Sequence, residues 1–191
     1  LGTQMIAKGL DFENVTLVGV INADSGLFFP DFRAGEWVFQ LIYQVAGRAG
    51  RRQKPGAAII QTYNPDDIYI KTAASLNTQK FYNTAMAQRQ ELNYPPFSRI
   101  GRLLFSGSDK DKVNIIAQKV CLKLHGDSNY KILGPGPAPL EKIQDMWRSH
   151  IIIKTRNKQK GSIHQFLYKN IGFSIFERSR QGVRIQVDID P

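Results

Sequence analysis

The spacing of apolar positions changes several times along the chain, and each change marks a predicted element. Val15 to Ile21 is an unbroken apolar run rich in Val and Ile, as expected of a strand buried on both faces of a parallel sheet, and Asn22-Ala23-Asp24-Ser25-Gly26 then supplies turn chemistry. From Arg33 to Ala46 the apolar residues Trp37, Val38, Leu41, Ile42 and Val45 recur at helical spacing, which predicts a helix with one buried stripe. Trp37, Phe39 and Tyr43 read as core residues of that helix rather than as a base-stacking platform. Phe28 and Phe29, ahead of Pro30, suit either the path of a bound strand or the core. Pro55-Gly56 breaks the pattern, and Ala57 to Tyr63 reads as a second strand.

Asn64-Pro65-Asp66-Asp67 is a helix start, and a polar, helix-permissive stretch runs from it to about Leu92. Pro95-Pro96 cannot extend a helix, so a domain boundary is expected there. Beyond it, strand and helix patterns alternate: Ile100–Ser106, a helix over 109–124, Lys131–Leu133, Ser149–Thr155, a helix over 162–176, and Val183–Ile189. In the first of these helices Val113, Ile116, Ala117, Val120 and Leu124 form the stripe. The β-α-β-β-α-β order predicts a split β-α-β sandwich. The expected organisation is α/β followed by α+β, with residues 1–63 as part of a parallel-sheet lobe, 64–96 as a helical connector and 97–191 as a small sandwich domain.

Charge adds a direction to this picture. The 191 residues carry 26 Lys and Arg against 16 Asp and Glu, a formal charge of +10, which favours a polyanionic partner. Residues 1–98 contribute a net +1 and residues 99–191 a net +9, so the excess lies in the second half. Strand alternation through 149–155 puts Arg148, His150, Ile152, Lys154 and Arg156 on one face, and Lys158 and Lys160 follow before Gly161. Such a track binds phosphates independently of sequence and is sensitive to salt, although the same residues also describe a solvated sheet edge.

Cys121 is the only cysteine, and His125, His150 and His164 lack ligand spacing, so the chain by itself holds neither a disulfide nor a cysteine-based zinc site. No apolar run approaches the roughly 18 residues of a membrane span and no signal peptide opens the sequence, which leads to the expectation of a soluble cytoplasmic protein without a membrane partner. The sequence starts on Leu1, as though inside a strand already under way, and reads as a fragment.

Two stretches carry candidate chemistry. In Gly2-Thr3-Gln4-Met5-Ile6-Ala7-Lys8-Gly9-Leu10-Asp11-Phe12, glycines beside hydroxyl, ammonium and carboxylate groups suit close backbone approach to phosphates, as they also suit an ordinary turn. In Gln44-Val45-Ala46-Gly47-Arg48-Ala49-Gly50-Arg51, two guanidinium groups and an amide come to one side if the helix continues that far. Planar, permanently charged donors match the charge on a transferring phosphoryl group, and equally the dipole at a solvated helix end.

Taken in order, with a buried strand between them, these stretches resemble motifs V and VI of superfamily 2 helicases. Motif VI reads Gln-x-x-Gly-Arg-x-Gly-Arg, and 44–51 match it at every fixed position. Asp31-Phe32-Arg33, Tyr94-Pro95-Pro96-Phe97, Leu133-Gly134-Pro135-x-Pro137-Ala138-Pro139, Trp147-Arg148 and Asp188-Ile189-Asp190-Pro191 extend the resemblance, which is similar from first residue to last to the primosomal protein N′ family of replication-restart helicases. That resemblance implies a RecA-like second lobe and an ATP-dependent 3′-to-5′ DNA helicase that acts on forked or single-stranded DNA beside other primosome and replisome proteins, in association with the nucleoid.

By the same resemblance, Arg51 is the arginine finger, with Arg48 and Gln44 organising the nucleotide site. Gly9 and Asp11 lie near the nucleotide, Thr3 touches the nucleic-acid backbone, and Lys8 serves either ligand. ATP and Mg²⁺ belong to the complete protein, where a first lobe binds them, and a paired-cysteine zinc module is expected upstream of Leu1. No cofactor is expected within these residues, which alone should be catalytically silent. The alternatives are another superfamily 2 DNA or RNA translocase and, for the segment alone, a non-catalytic nucleic-acid-binding module.

Overall fold

A computed structural model describes residues 16–47, 56–156, 162–172 and 182–190. The chain divides into two compact units, Leu1–Gln88 and Arg89–Pro191.

In the first unit β1 (Leu17–Val20) and β2 (Ala57–Ile60) pair in parallel, Leu17 opposite Ala57 and Val20 opposite Ile60. A parallel pair needs a crossover, and α1 (Ala34–Ala46) lies between the strands in sequence. Its buried residues are Ala34, Val38, Phe39 and Ile42. The stripe is therefore rotated from the expected one, and Trp37 and Tyr43 stay 41% and 39% exposed instead of entering the core. Phe39 decides the rotation. Its ring stacks on Phe81 with centroids 3.7 Å apart and planes at 4°, which draws that side of α1 inward.

The polar stretch after β2 forms two helices. Asp67 caps α2 (Ile68–Ala74), its carboxylate accepting from the Tyr69 and Ile70 N–H groups. The chain breaks at Ser75–Asn77, and Asn77 accepts from the Lys80 N–H at the start of α3 (Thr78–Glu91). Only Phe81 and Ala85 of α3 are buried, which is why its sequence shows no apolar stripe.

The second unit runs β3 (Ile100–Gly107), α4 (Lys110–Leu124), β4 (Tyr130–Ile143), β5 (Met146–Thr155), α5 (Ile163–Ile171) and β6 (Val183–Ile189). The strands form one antiparallel sheet in the order β4-β5-β3-β6, the split β-α-β connectivity. One sheet face packs Leu103, Phe105, Ile151, Ile153, Val183 and Ile185 against the apolar sides of α4 and α5. Burying these side chains, at about 1.5–3 kcal/mol each, is the main stabilisation of this unit.

β4 is far longer than the three residues expected. Pro135, Pro137 and Pro139 read as breakers, but β4 lies at a sheet edge, where a residue without an N–H can be accommodated, and register shifts after Leu133 and Pro137 absorb the misfit. Gly134 makes this path possible. Its φ is 102°, and a Cβ there would meet the His150 carbonyl oxygen at 2.8 Å. A two-residue turn, Gln144-Asp145 with φ of 47° and 63°, joins β4 to β5. α5 also departs from expectation and stops at Ile171, where Gly172 adopts φ 71°.

Candidate nucleic-acid interface

In the first unit Gln44 lies on the last turns of α1 and is exposed, on the side away from Val38 and Ile42. Thr3, Lys8, Gly9, Asp11, Arg48 and Arg51 lie outside the described residues.

Asp24, just past β1, has more structure around it than its turn-like sequence implied. Its carboxylate accepts from the Thr62 hydroxyl, the Tyr63 N–H and the Asn64 side-chain amide, each at 2.8 Å, and so ties the carboxyl end of β1 to that of β2. Burial pushes this carboxyl up, but the bonds from Tyr63, Asn64 and Thr62 outweigh it and hold Asp24 below the usual carboxylate range. A buried carboxylate with three donors was not legible from a single Asp in a turn. Phe28 and Phe29 are 76% and 50% exposed, which places both outside the core of this unit. Phe29 lies 5.7 Å from Trp37, whose ring carries the Arg33 guanidinium at 5.3 Å.

The second unit has a sheet face turned away from α4 and α5. Alternation puts Arg148, His150, Ile152 and Lys154 of β5 on it, and pairing adds neighbours from β3 and β6. Arg148 and Arg184 both stand opposite Ser106, so two guanidinium-bearing residues flank one small side chain. Nothing local in the sequence relates Arg184 to Arg148, and only the strand order joins them. Farther along, Arg102 forms an ion pair with Asp188 at 2.9 Å.

The face is not the uniform cationic track that alternation implied. Lys154 is 9% exposed. Its ammonium donates to the Leu92 carbonyl at 2.9 Å and lies 3.7 Å from the centre of the Tyr94 ring. Burial, and secondarily Lys131 across the strand pair, push its pKa down. Sequence alternation assigns a side to a residue but not its exposure, and here the segment before β3 closes over that end of the strand.

His150 is half-buried, and burial first and Arg102 second push its pKa down, so it is predominantly neutral at pH 7. Its Nδ1 and the Arg102 Nε are buried with no hydrogen-bond partner among the described residues. Arg148 is partly exposed, with a long 3.5 Å contact from its guanidinium to the Leu140 carbonyl. Arg156 is exposed, while its backbone N–H is bound to the Asn129 carbonyl at 2.8 Å. Lys158 and Lys160 lie outside the described residues.

Cys121 is structural. Its thiol donates to the Gly134 carbonyl at 3.4 Å, and burial pushes its pKa up, away from thiolate reactivity. Among the described residues, no group of three or more His, Cys, Asp or Glu is placed to hold a metal ion, and no helix is long and apolar enough to cross a membrane.

Residues 90–191 match the family described as primosomal protein N C-terminal domain. Over its whole length the chain is 42% identical to "Replication restart protein PriA" of Bacillus subtilis (strain 168), covering 24% of that protein. A protein of the same name from Chlamydia trachomatis is 43% identical over 82% of the chain, covering 21% of that relative. One from Rickettsia prowazekii is 37% identical over the whole chain, covering 28% of it. The chain thus spans about a quarter of the length of the curated relatives it matches.

Proposed function

This chain belongs to the primosomal protein N family, and from that membership we propose that it is part of an ATP-dependent 3′-to-5′ DNA helicase that binds forked DNA and restarts replication by assembling a primosome. Residues 1–63 are assigned to the second RecA-like lobe, 64–96 to a helical connector and 97–191 to a basic DNA-binding domain.

The observation that carries this reading is the placement of α1. It lies between two parallel strands in sequence and leaves Gln44, the first residue of the Gln-x-x-Gly-Arg-x-Gly-Arg pattern, exposed on its last turns. In the complete protein Arg51 is assigned to the γ-phosphate, with Arg48 and Gln44 beside it. Gly9 and Asp11 are assigned to the nucleotide, and Thr3 and Lys8 to the DNA backbone. ATP and Mg²⁺ are held mainly by the first lobe, and the zinc module belongs elsewhere in the complete protein.

Guanidinium groups stabilise charge that develops on a phosphoryl group only when a P-loop and metal hold the nucleotide in place. The chain alone is therefore a nucleic-acid-binding module without ATPase activity. Its DNA contacts are assigned to Arg148, Arg184, Arg156, Lys158 and Lys160. Lys154 and His150 shape the sheet rather than present charge.

In the complete protein, Arg51→Ala should lower DNA-stimulated ATP hydrolysis by about 10³-fold or more, the usual worth of an arginine finger, while DNA affinity stays within twofold or so. Turnover close to that of the unaltered enzyme removes the assignment. ATP hydrolysis by the 191-residue chain above its own Arg51→Ala control removes the claim that the chain is non-catalytic.

A further inference from the structure

On the opposite side of the sheet from the Arg148–Ser106–Arg184 row, α4 and the β4–β5 hairpin enclose a groove of about 350 Å³. Its walls differ in chemistry. Lys110, Asn114 and Gln118, at i, i+4 and i+8, line it from α4. Pro135, Pro137 and Trp147 line it from the strands with flat, apolar surface.

Trp147 is half-buried against the core, and the Lys110 and Lys142 ammonium groups lie 4.6 and 5.2 Å from its ring centre. Both lysines also form ion pairs, with Glu141 at 2.8 Å and Asp145 at 2.9 Å. The two lysines and Glu141 are about half exposed and Asp145 almost fully, so these pairs contribute little to stability. Asn114 and Gln118 are exposed and their amides make no hydrogen bond within the described residues.

We propose that this groove takes one unpaired nucleotide of single-stranded DNA, its base stacked on Trp147 between the prolines and its phosphate met by Lys110 and Lys142. The proposal rests on the DNA-binding reading of this unit and adds a site to it. A planar base matches an indole face and proline rings, and stacking of this kind accepts any base. Amides, which both donate and accept, suit the polar edge of a base, and two lysines at the rim suit a phosphate. A base held in a duplex stays paired and stacked, so only a single strand or an unpaired end can enter. Arg148 borders the groove as well as belonging to the open sheet face, so one cationic residue adjoins both, while Glu141 is the acidic residue of the lining.

The chain has two tryptophans, and Trp37→Phe leaves Trp147 as the sole indole reporter. In that background a short oligothymidylate should quench Trp147 emission saturably, and a duplex of equal charge should not, at the same salt. Asn114→Ala combined with Gln118→Ala, both at exposed helix positions, should weaken oligothymidylate binding by at least fivefold and leave duplex binding unchanged.

Trp147→Leu should weaken it about 5- to 150-fold, the equivalent of roughly 1–3 kcal/mol for one stacked base, with folding checked by circular dichroism. DNA binding followed by anisotropy separates the two ideas. Binding with unchanged Trp147 emission, and with full affinity in the double amide variant, overturns the groove and leaves the DNA reading standing. No binding of any DNA overturns both. Quenching by polyglutamate but not by oligothymidylate overturns the proposal in favour of an acidic peptide.

Discussion

Replacing Lys154 by Met separates a structural cation from a phosphate contact. Met keeps most of the side-chain length and removes the charge, and with it the 2.9 Å bond to the Leu92 carbonyl and the ammonium 3.7 Å from the Tyr94 ring. A hydrogen bond from a charged donor contributes about 1.5–3 kcal/mol net, and a partly desolvated cation over a ring about 0.5–2 kcal/mol. Against this, the ammonium is buried, and its depressed pKa records that burial and Lys131 both disfavour its charge. Removing a charge held at such a cost returns a good part of the loss, on the order of 1–3 kcal/mol. The balance is a net destabilisation of roughly 1–2 kcal/mol.

With a urea m-value of about 1–2 kcal/mol/M, the midpoint should fall by around 1 M at unchanged m. Affinity for DNA, measured where both proteins are folded, should change by less than about twofold, because a buried ammonium releases no counterion. Lys154→Glu is different in kind. It sets a carboxylate against a carbonyl oxygen and the negative face of a ring, at a cost of about 3–5 kcal/mol, a large share of a small domain's stability. A binding defect in that variant therefore reports unfolding. If Lys154→Met unfolds at the original midpoint and loses tenfold or more in DNA affinity, the ammonium is a phosphate contact and the reasoning fails.

Three further outcomes follow from named contacts. Gly134→Ala should lower stability by about 2–4 kcal/mol in chemical denaturation, since it adds strain at φ 102° to a 2.8 Å clash with the His150 carbonyl, and an unchanged midpoint would mean that β4 takes another path. Arg148→Ala and Arg184→Ala should each weaken DNA binding for all sequences alike and reduce the slope of log affinity against log salt by about 1, with unchanged slopes placing the phosphate path elsewhere. His150 has a folded-state pKa below the ordinary 6.5, so the unfolded chain binds more protons between those two values. Stability should therefore rise with pH through that window and fall as pH drops through it, and His150→Gln should flatten the slope seen in denaturation from pH 5 to 7.

Much of the element order was legible in the sequence, because periodicity is a local property. The helix over Ala34–Ala46, the capped start at Asp67 and the strand Val183–Ile189 follow from residues within a few positions of one another. So do the β-α-β-β-α-β order and the concentration of positive charge after residue 98. The side of α1 that is buried could not be read in the same way, because Phe39 is drawn in by Phe81, which lies on a helix far from it in sequence.

Tertiary structure alone decided the path of β4. The prolines that break a central strand are tolerated at an edge, and the edge position is a property of the sheet order β4-β5-β3-β6. It also decided which cations face solvent. Arg184 comes beside Arg148 through their common pairing with Ser106, while Lys154, on the same strand face by alternation, is buried under Leu92 and Tyr94. Charge and period belong to the sequence, whereas exposure depends on which distant segments pack over a residue, and that is settled only when the sheet and its flanking chain assemble.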